Sequence, residues 1–533
     1  MLRTFNSSHF FLKMSPWGNK ATPEAYEAPI HDDHTETFEP TEHSRLLPDN
    51  GGYLSPDDPA VSPYNLWSVR ALRGVSIVAL GLSFIWWTFL LVSIFVSPPM
   101  IHPRGSGFFA FSYTTLATSY LVVGLLFFAV PSKPMTIWGI TLAVLLLIDM
   151  IIILAVPRLR LEEGWVGIAS VVWVTLISAY QVVQNRAVAW GKREEEERLT
   201  GREETKRSLI EWVVVFAETI LLAFMAIAAV LFTATLILRA FDVGLEAPGK
   251  RYLVHRDSYQ VHLACFGNKT ASDSEGPTIL LEGGNGPVEH TLQPFIDDVY
   301  QRGSIGRYCY WDRPGFGWSD NAPSPHSAGM SADVLSEALA LAGETGPWIV
   351  VSAGVGSLYS RLFASRNLLE VRGIFMIDPL HEAYLENIGR PGRGFLLWLR
   401  GVVSPLGLDR LAGAILRGRS REDRVMGRSA YQSGKYIKAK LQESLVAVTM
   451  TAAEIQSARH VQMGDAPVVV VSSGQEVRKS SLWEERQEDL SHITDNLLSW
   501  DVAEDAPHEV WTTGQGRELL ERRLKELVQE SQA

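Results

Sequence analysis

Residues 348–364 read Trp348-Ile-Val-Val-Ser-Ala-Gly-Val-Gly-Ser-Leu-Tyr-Ser-Arg-Leu-Phe-Ala364. The first four form a short, wholly apolar run, as a strand covered on both faces requires. Glycines at 354 and 356 break the run, and a helix-like stretch begins at Leu358. Strand, sharp turn and helix make the repeating unit of a parallel sheet. Working outward, the same rhythm recurs. Residues 259–265 are predicted as a strand, and 278–281 as another that ends in Glu-Gly-Gly-Asn-Gly at 282–286. A strand at 307–311 precedes Asp312-Arg-Pro-Gly-Phe-Gly-Trp-Ser-Asp320. The run 374–377 ends at Asp378, 467–471 ends at Ser472-Ser-Gly-Gln-Glu476, and a last strand near 497–502 precedes His508. Residues 250–533 are therefore expected to form an α/β domain with a mostly parallel sheet.

The order of these strands and turns resembles the α/β-hydrolase superfamily over about residues 255–530, and 312–320 is similar to that family's Asp-Arg-Pro-Gly-x-Gly-x-Ser turn. The resemblance implies a nucleophile elbow of the form Gly-x-Ser-x-Gly, a strained turn that lifts a serine above the sheet. Aligned here, its five positions are Ser352, Ala353, Gly354, Val355 and Gly356, so the nucleophile position holds Gly354. A two-residue shift brings Ser352 to the tip, but then Val350 and Val351 stand where the turn needs small residues. The resemblance also implies an oxyanion hole of backbone N–H groups, here from Gly283, Gly284 and Asn285 together with Val355. Glu282 stands where the family often carries histidine. His508 takes the family's histidine position, and its carboxylate partner is Asp378 or Glu476. A helical cap is expected at about 380–460. It is basic, with 12 Lys or Arg between 390 and 440 against Asp409, Glu422 and Asp423. Its apolar stretch 394–403 suits either a membrane surface or packing on the hydrolase core, and we expect the latter. Cys265 and Cys309 are the only cysteines, too few for a disulfide framework or a metal cluster. The resemblance places them on neighbouring strands. Cross-strand geometry often forbids a bridge, so buried free thiols are expected.

The first half has a different composition. Five apolar stretches, about 74–96, 107–130, 135–156, 165–184 and 210–238, reach the ~20 residues that a transmembrane helix needs. Residues 70–240 are thus expected to form a five-helix membrane region. The segment 185–208 carries seven Lys or Arg and is read as a cytosolic loop under the positive-inside rule. That puts the N-terminus in the cytosol and, after five crossings, residues 250–533 on the non-cytosolic side. Asn268 there opens a glycosylation sequon. Asp149, Glu211 and Glu218 fall in or beside the spans. They are expected to sit at the interface or to bond to polar side chains of neighbouring helices, since no basic partner makes a transport pathway of them.

Residues 1–65 lack apolar periodicity and are expected to be a disordered cytosolic tail. Glu42, Leu46 and Leu47 form an acidic dileucine pattern, which implies contact with a coat adaptor and an endomembrane or vacuolar destination. The acid-free stretch 1–20 leaves a mitochondrial membrane as the alternative. A net charge of −11 excludes a nucleic-acid partner of the phosphate-binding kind. No metal or organic cofactor is expected. Three functions follow from these features. The first is a membrane-anchored hydrolase-like domain that has lost its serine and binds a ligand or acts as a scaffold. The second is an active hydrolase of lipid or ester substrates, with Ser352 or a water activated by His508 as nucleophile. The third is a transporter in which the five helices are the working part. Membrane lipids are expected contacts of the chain in every case.

Overall fold

The computed structural model describes residues 62–99, 101, 103–201, 207–268, 276–460 and 466–532. Five helices come first: α1 (Trp67–Phe95), α2 (Phe108–Leu126), α3 (Lys133–Ala155), α4 (Pro157–Thr200) and α5 (Leu209–Val243). Each is long and apolar enough to cross a bilayer. Helix α2 is the most enclosed, and the others turn large apolar side chains outward; Phe216 and Phe224 of α5 are 68% and 66% exposed. Such a surface is stable against lipid and not against water. The intramembrane acids bond to neighbouring helices: Asp149 accepts from the Tyr113 hydroxyl at 3.0 Å, and Glu218 from Ser132 Oγ at 2.6 Å. The basic segment after 185 is helical as far as Thr200, where a loop was expected. Ion pairs at helical spacing support it, Arg198 with Glu195 at 3.0 Å and Lys192 with Glu196 at 3.6 Å. Lys192 also reaches Glu211 of α5 at 2.9 Å, which places that acid at the helix end.

The second half is an eight-stranded sheet: β1 (Lys250–Val254), β2 (Tyr259–Phe266), β3 (Thr278–Glu282), β4 (Tyr308–Trp311), β5 (Trp348–Ala353), β6 (Val371–Ile377), β7 (Val468–Ser473) and β8 (Leu497–Ala503). Its order is β1-β2-β4-β3-β5-β6-β7-β8, with β2 antiparallel to both neighbours and the rest parallel. This is the α/β-hydrolase fold. Alternate residues of the central strands feed two apolar layers. Val350, Met376 and Val470 pack under α7 (Ala328–Ala342) and α8 (Gly356–Arg366). Ile349, Phe375 and Val469 pack on the other face against α6 (Gln293–Gln301) and the C-terminal helix Gly514–Glu530. The chain leaves β3 toward β4 on one side and returns through β5 on the other. The crevice where such an order reverses is where sheets of this class bind ligands.

Cys265 and Cys309 are directly paired across β2 and β4, with Cα atoms 4.0 Å apart, and are joined as a disulfide. The expected free thiols are therefore corrected: this register brings the two Cβ atoms face to face.

Between β6 and β7 the cap contains six helices: α9 (Leu385–Ile388), α10 (Pro391–Val403), α11 (Leu408–Leu416), α12 (Arg421–Val425), α13 (Gly434–Val446) and α14 (Ala452–His460). The cap also packs on the membrane helices, which the sequence reading did not foresee. Leu90, Ile94, Phe108 and Phe111 of α1 and α2 form one buried cluster with Ile437 and Leu441 of α13, and Leu397, Trp398 and Val402 of α10 border it. Phe395 and Leu396, on the opposite face of α10, stay exposed.

Candidate functional site

The site lies at the carboxyl ends of β3, β5 and β6. Strand β5 is buried throughout, and its last residue leads into Gly354, whose φ of +52° is a backbone position that favours glycine. Gly356 opens α8 against the carbonyl of Gly283 and leaves no room for a side chain. The strand-to-helix turn therefore carries Gly354 at its tip. A Cβ built on Gly354 would lie 2.8 Å from Nε2 of His508 and 3.0 Å from Cε1. The imidazole thus stands in the space that a side chain at position 354 would take. Ser352 points into the core instead; it is buried and its Oγ accepts from Ser360 at 2.9 Å.

Asp378 follows β6 with φ of +42° and is fully buried. Its Oδ1 accepts from the Ser473 amide and from the Trp483 indole, each at 3.0 Å, and its Oδ2 accepts from His508 Nδ1 at 2.5 Å. Glu476, the other candidate acid, lies inside the short helix Gly474–Lys479, which carries its carboxylate to an ion pair with Lys479 at 2.6 Å. With Nδ1 donating to Asp378, Nε2 is the basic nitrogen, and it has no hydrogen-bond partner among the described residues.

The hydrogen bond to Asp378 raises the His508 pKa above its ordinary 6.5, while burial works the other way. The folded state therefore holds this proton more tightly than the unfolded chain. The resulting stabilisation is complete below pH 6.5 and is lost as pH rises through the elevated value. In an NMR titration of labelled histidine, the His508 midpoint should lie above 6.5. In Asp378→Asn it should fall, because the largest upward pull is removed while burial and the smaller upward pulls of Glu509 and Glu476 remain. An unchanged midpoint in that variant would remove Asp378 as the cause.

On the other side of the turn, Val355, the residue that precedes α8, has its amide unbonded among the described residues. Gly283, Gly284 and Asn285 line the facing loop. Arg313, quoted above only as part of a turn, fixes that loop: its guanidinium donates to the Gly284 carbonyl and lies 3.2 Å from Glu282 and 3.5 Å from Glu443 of α13. It also stacks over Tyr359 at 4.2 Å. Burial lifts the Glu282 pKa to about 7, against the opposing pull of Arg313. The cap closes over the same loop. Tyr436 donates to the Asn285 carbonyl at 2.7 Å, Lys440 reaches Asn285 Oδ1 at 3.3 Å, and the Tyr431 hydroxyl rests on Gly286. The cap contacts could not be read from sequence, because they join residues some 150 positions apart.

Asn268 is exposed at the end of β2, while the rest of its sequon, and Glu42, Leu46 and Leu47, lie outside the described residues.

A family model described as a region of unknown function matches residues 39–265, from the tail through the membrane helices to β2. An uncharacterized protein of Schizosaccharomyces pombe is 34% identical over 502 residues, covering 89% of this chain and 92% of that protein. An uncharacterized vacuolar membrane protein of Saccharomyces cerevisiae is 26% identical over 386 residues, 61% of this chain and 60% of that one. Among solved structures, a haloalkane dehalogenase of Agrobacterium tumefaciens covers 53% of this chain and 97% of its own, with 16% identity and a TM-score of 0.39. The chain belongs to the family of the Schizosaccharomyces pombe protein, and its own architecture is a five-helix membrane region followed by an α/β-hydrolase-fold domain.

Proposed function

We propose that the domain is a hydrolase-fold binding module that has given up serine chemistry, anchored by its five helices. The observation that carries this reading is Gly354 at the elbow tip with the His508 imidazole filling the vacated space. Without a hydroxyl there, no acyl-enzyme forms, and the crevice between the Gly283–Gly284–Asn285 loop and the cap is left to hold a ligand of lipid or ester type reversibly, or to serve as a scaffold. A second reading rests on the intact Asp378–His508 pair: it can act as general base on a water. That reading requires ester turnover without a covalent adduct, abolished by His508→Gln.

We further propose that the tail faces the cytosol and the hydrolase-fold domain the lumen of a vacuole-like compartment. Three observations support this. Basic residues crowd the end of α4 remote from the domain. A Cys265–Cys309 disulfide suits an oxidising compartment. The Saccharomyces cerevisiae relative carries the name of a vacuolar membrane protein. The dileucine residues Glu42, Leu46 and Leu47 then face the coat adaptors that read such signals.

One experiment tests both proposals. Intact-mass analysis of the full chain, treated with a fluorophosphonate, should show no probe adduct and an endoglycosidase-sensitive glycan on Asn268. An adduct that disappears in Ser352→Ala would overturn the first proposal. A cytosol-exposed C-terminus, read by protease protection in sealed vesicles, would overturn the second.

A further inference from the structure

A second cavity lies away from the elbow, where the hydrolase-fold domain meets the ends of α2, α4 and α5. Its cavity volume is about 100 Å³. Its walls are charged. Arg158 and Glu162 come from α4, Arg239 and Asp242 from α5, Arg251 from β1, and Arg410, Arg424 and Lys435 from the cap. Behind this lining stand Glu163, 2.7 Å from Arg239, and Asp320, paired with Arg158. Asp312 stands behind Gly317 and Trp318 as a further acid, its Oδ2 accepting from the Trp318 amide at 3.0 Å, so six cations meet five carboxylates and positive charge is in excess by one.

The pairing shows where the excess sits. Glu162 is shared by Arg158 at 3.3 Å, Arg239 at 2.9 Å and Lys435 at 3.8 Å. Asp242 is shared by Arg410 at 2.9 Å and Arg424 at 2.7 Å. Arg251 has no carboxylate partner among the described residues; its guanidinium stands 5.6 Å over the Trp318 ring. Burial and the neighbouring Arg158 hold its pKa below the ordinary value, and burial does the same to Arg410. Four buried polar atoms of lining residues have no partner among the described residues: Thr235 Oγ1, Arg251 Nε, Arg410 Nε and Trp318 Nε1. All four can donate a hydrogen bond, and none is an obligate acceptor. A junction built only to hold two halves together would match its donors with acceptors, because an unmatched buried guanidinium destabilises the fold.

We infer that this junction cavity binds a phosphate monoester dianion, held by Arg251 and Arg410 and supplied either as the headgroup of a membrane lipid or as a soluble phosphate. A phosphate anion more than offsets the excess positive charge, and its oxygens offer acceptors to Arg251 and Arg410, which both line the cavity. Arginine suits the task, since its planar fork matches phosphate oxygens. The cavity lies at the ends of α2, α4 and α5, helices long and apolar enough to cross a bilayer, and is bordered by Ser404 just after α10. The inference is independent of the elbow, because it concerns binding by residues that do not touch Gly354 or His508.

The test uses the full chain in phosphatidylcholine nanodiscs, titrated calorimetrically with glycerol 3-phosphate and, separately, with water-soluble dioctanoyl phosphatidic acid. At least one should bind. Arg251→Gln and Arg410→Gln should each weaken that binding by about tenfold or more, the loss of one charge-assisted hydrogen-bond pair. Arg302→Gln, on the exposed surface, serves as the unaffected control. Tight binding of phosphatidic acid alone identifies a lipid headgroup; comparable binding of both probes identifies the free phosphate. Because Arg251 leaves no acid orphaned, Arg251→Gln should keep or raise the melting temperature while losing the ligand, which a purely structural arginine would not do. Binding of neither probe, or equal binding by Arg251→Gln and the native protein, overturns the inference. Should Arg410→Gln fail to fold, Arg251→Gln decides alone.

Discussion

Gly354→Ser is expected to turn an unreactive protein into one that a fluorophosphonate labels to near completion. The backbone is already suited to it: φ of +52° at the elbow tip is where a nucleophile's strained conformation lies. A non-glycine residue there costs roughly 1–2 kcal/mol, which a domain with two complete apolar layers should absorb. The obstacle is His508, whose Nε2 lies 2.8 Å from the added Cβ. The imidazole must withdraw by several tenths of an ångström. It has room to do so, because its side chain is 41% exposed. Once displaced, it faces the new hydroxyl as general base, with Asp378 holding its tautomer and the Val355 amide free to donate to a developing oxyanion. In the Gly354→Ser background, Asp378→Asn should slow labelling by up to about 10⁴, the cost of losing the carboxylate from a triad. A folded Gly354→Ser protein that resists the probe would mean that the oxyanion geometry has also been dismantled.

The largest loss of stability is expected from Asp378→Leu. Asp378 is fully buried and receives three donors, the Ser473 amide, the Trp483 indole and the His508 ring. Leucine leaves all three unmatched and is forced into φ of +42°. Losing a buried charged acceptor costs about 3–5 kcal/mol, equivalent to a fall in melting temperature on the order of 10 °C. Asp378→Asn tolerates the backbone and keeps an acceptor, so its cost should be about 1 kcal/mol. Glu476→Ala, at an exposed ion pair, should change stability by no more than ~0.5 kcal/mol. Equal losses from Asp378→Leu and Glu476→Ala would reverse the assignment of the acid.

What the sequence disclosed follows from the physics of each signal. Five apolar runs of bilayer length and the buried strands β3 to β7 are written as uninterrupted hydrophobic stretches, so they were legible. The edge strand β1 was missed as a strand, because Lys250, Arg251 and Tyr252 carry no clear alternation. The extension of α4 to Thr200 was missed because its helicity rests on ion pairs and not on an apolar face. The strand-to-helix turn at Gly354 was legible from its glycine spacing, since the backbone constraint is local. The partner of His508 stayed open between two acids, since only the fold decides which strand end faces the crevice. Arg313, which sets the oxyanion loop against the cap, was visible as a motif letter but not as a clamp. The junction cavity gathers residues from 106 to 436, a separation over which no sequence pattern extends.

The buried cluster shared by α1, α2, α10 and α13 has a bearing on how this chain can be handled. A secretory-style excision that began at Lys250 would keep the whole sheet yet strip Phe108 and Phe111 from Ile437 and Leu441. The freed fragment would carry an oily scar on its cap, next to the apolar residues Phe395 and Leu396 that are bare already. Such a fragment behaves as an aggregation-prone half and not as a miniature of the parent. The bilayer-spanning bundle and the sheet are thus best regarded as one folding unit, and biochemistry on this chain belongs in detergent or nanodiscs with all five helices attached.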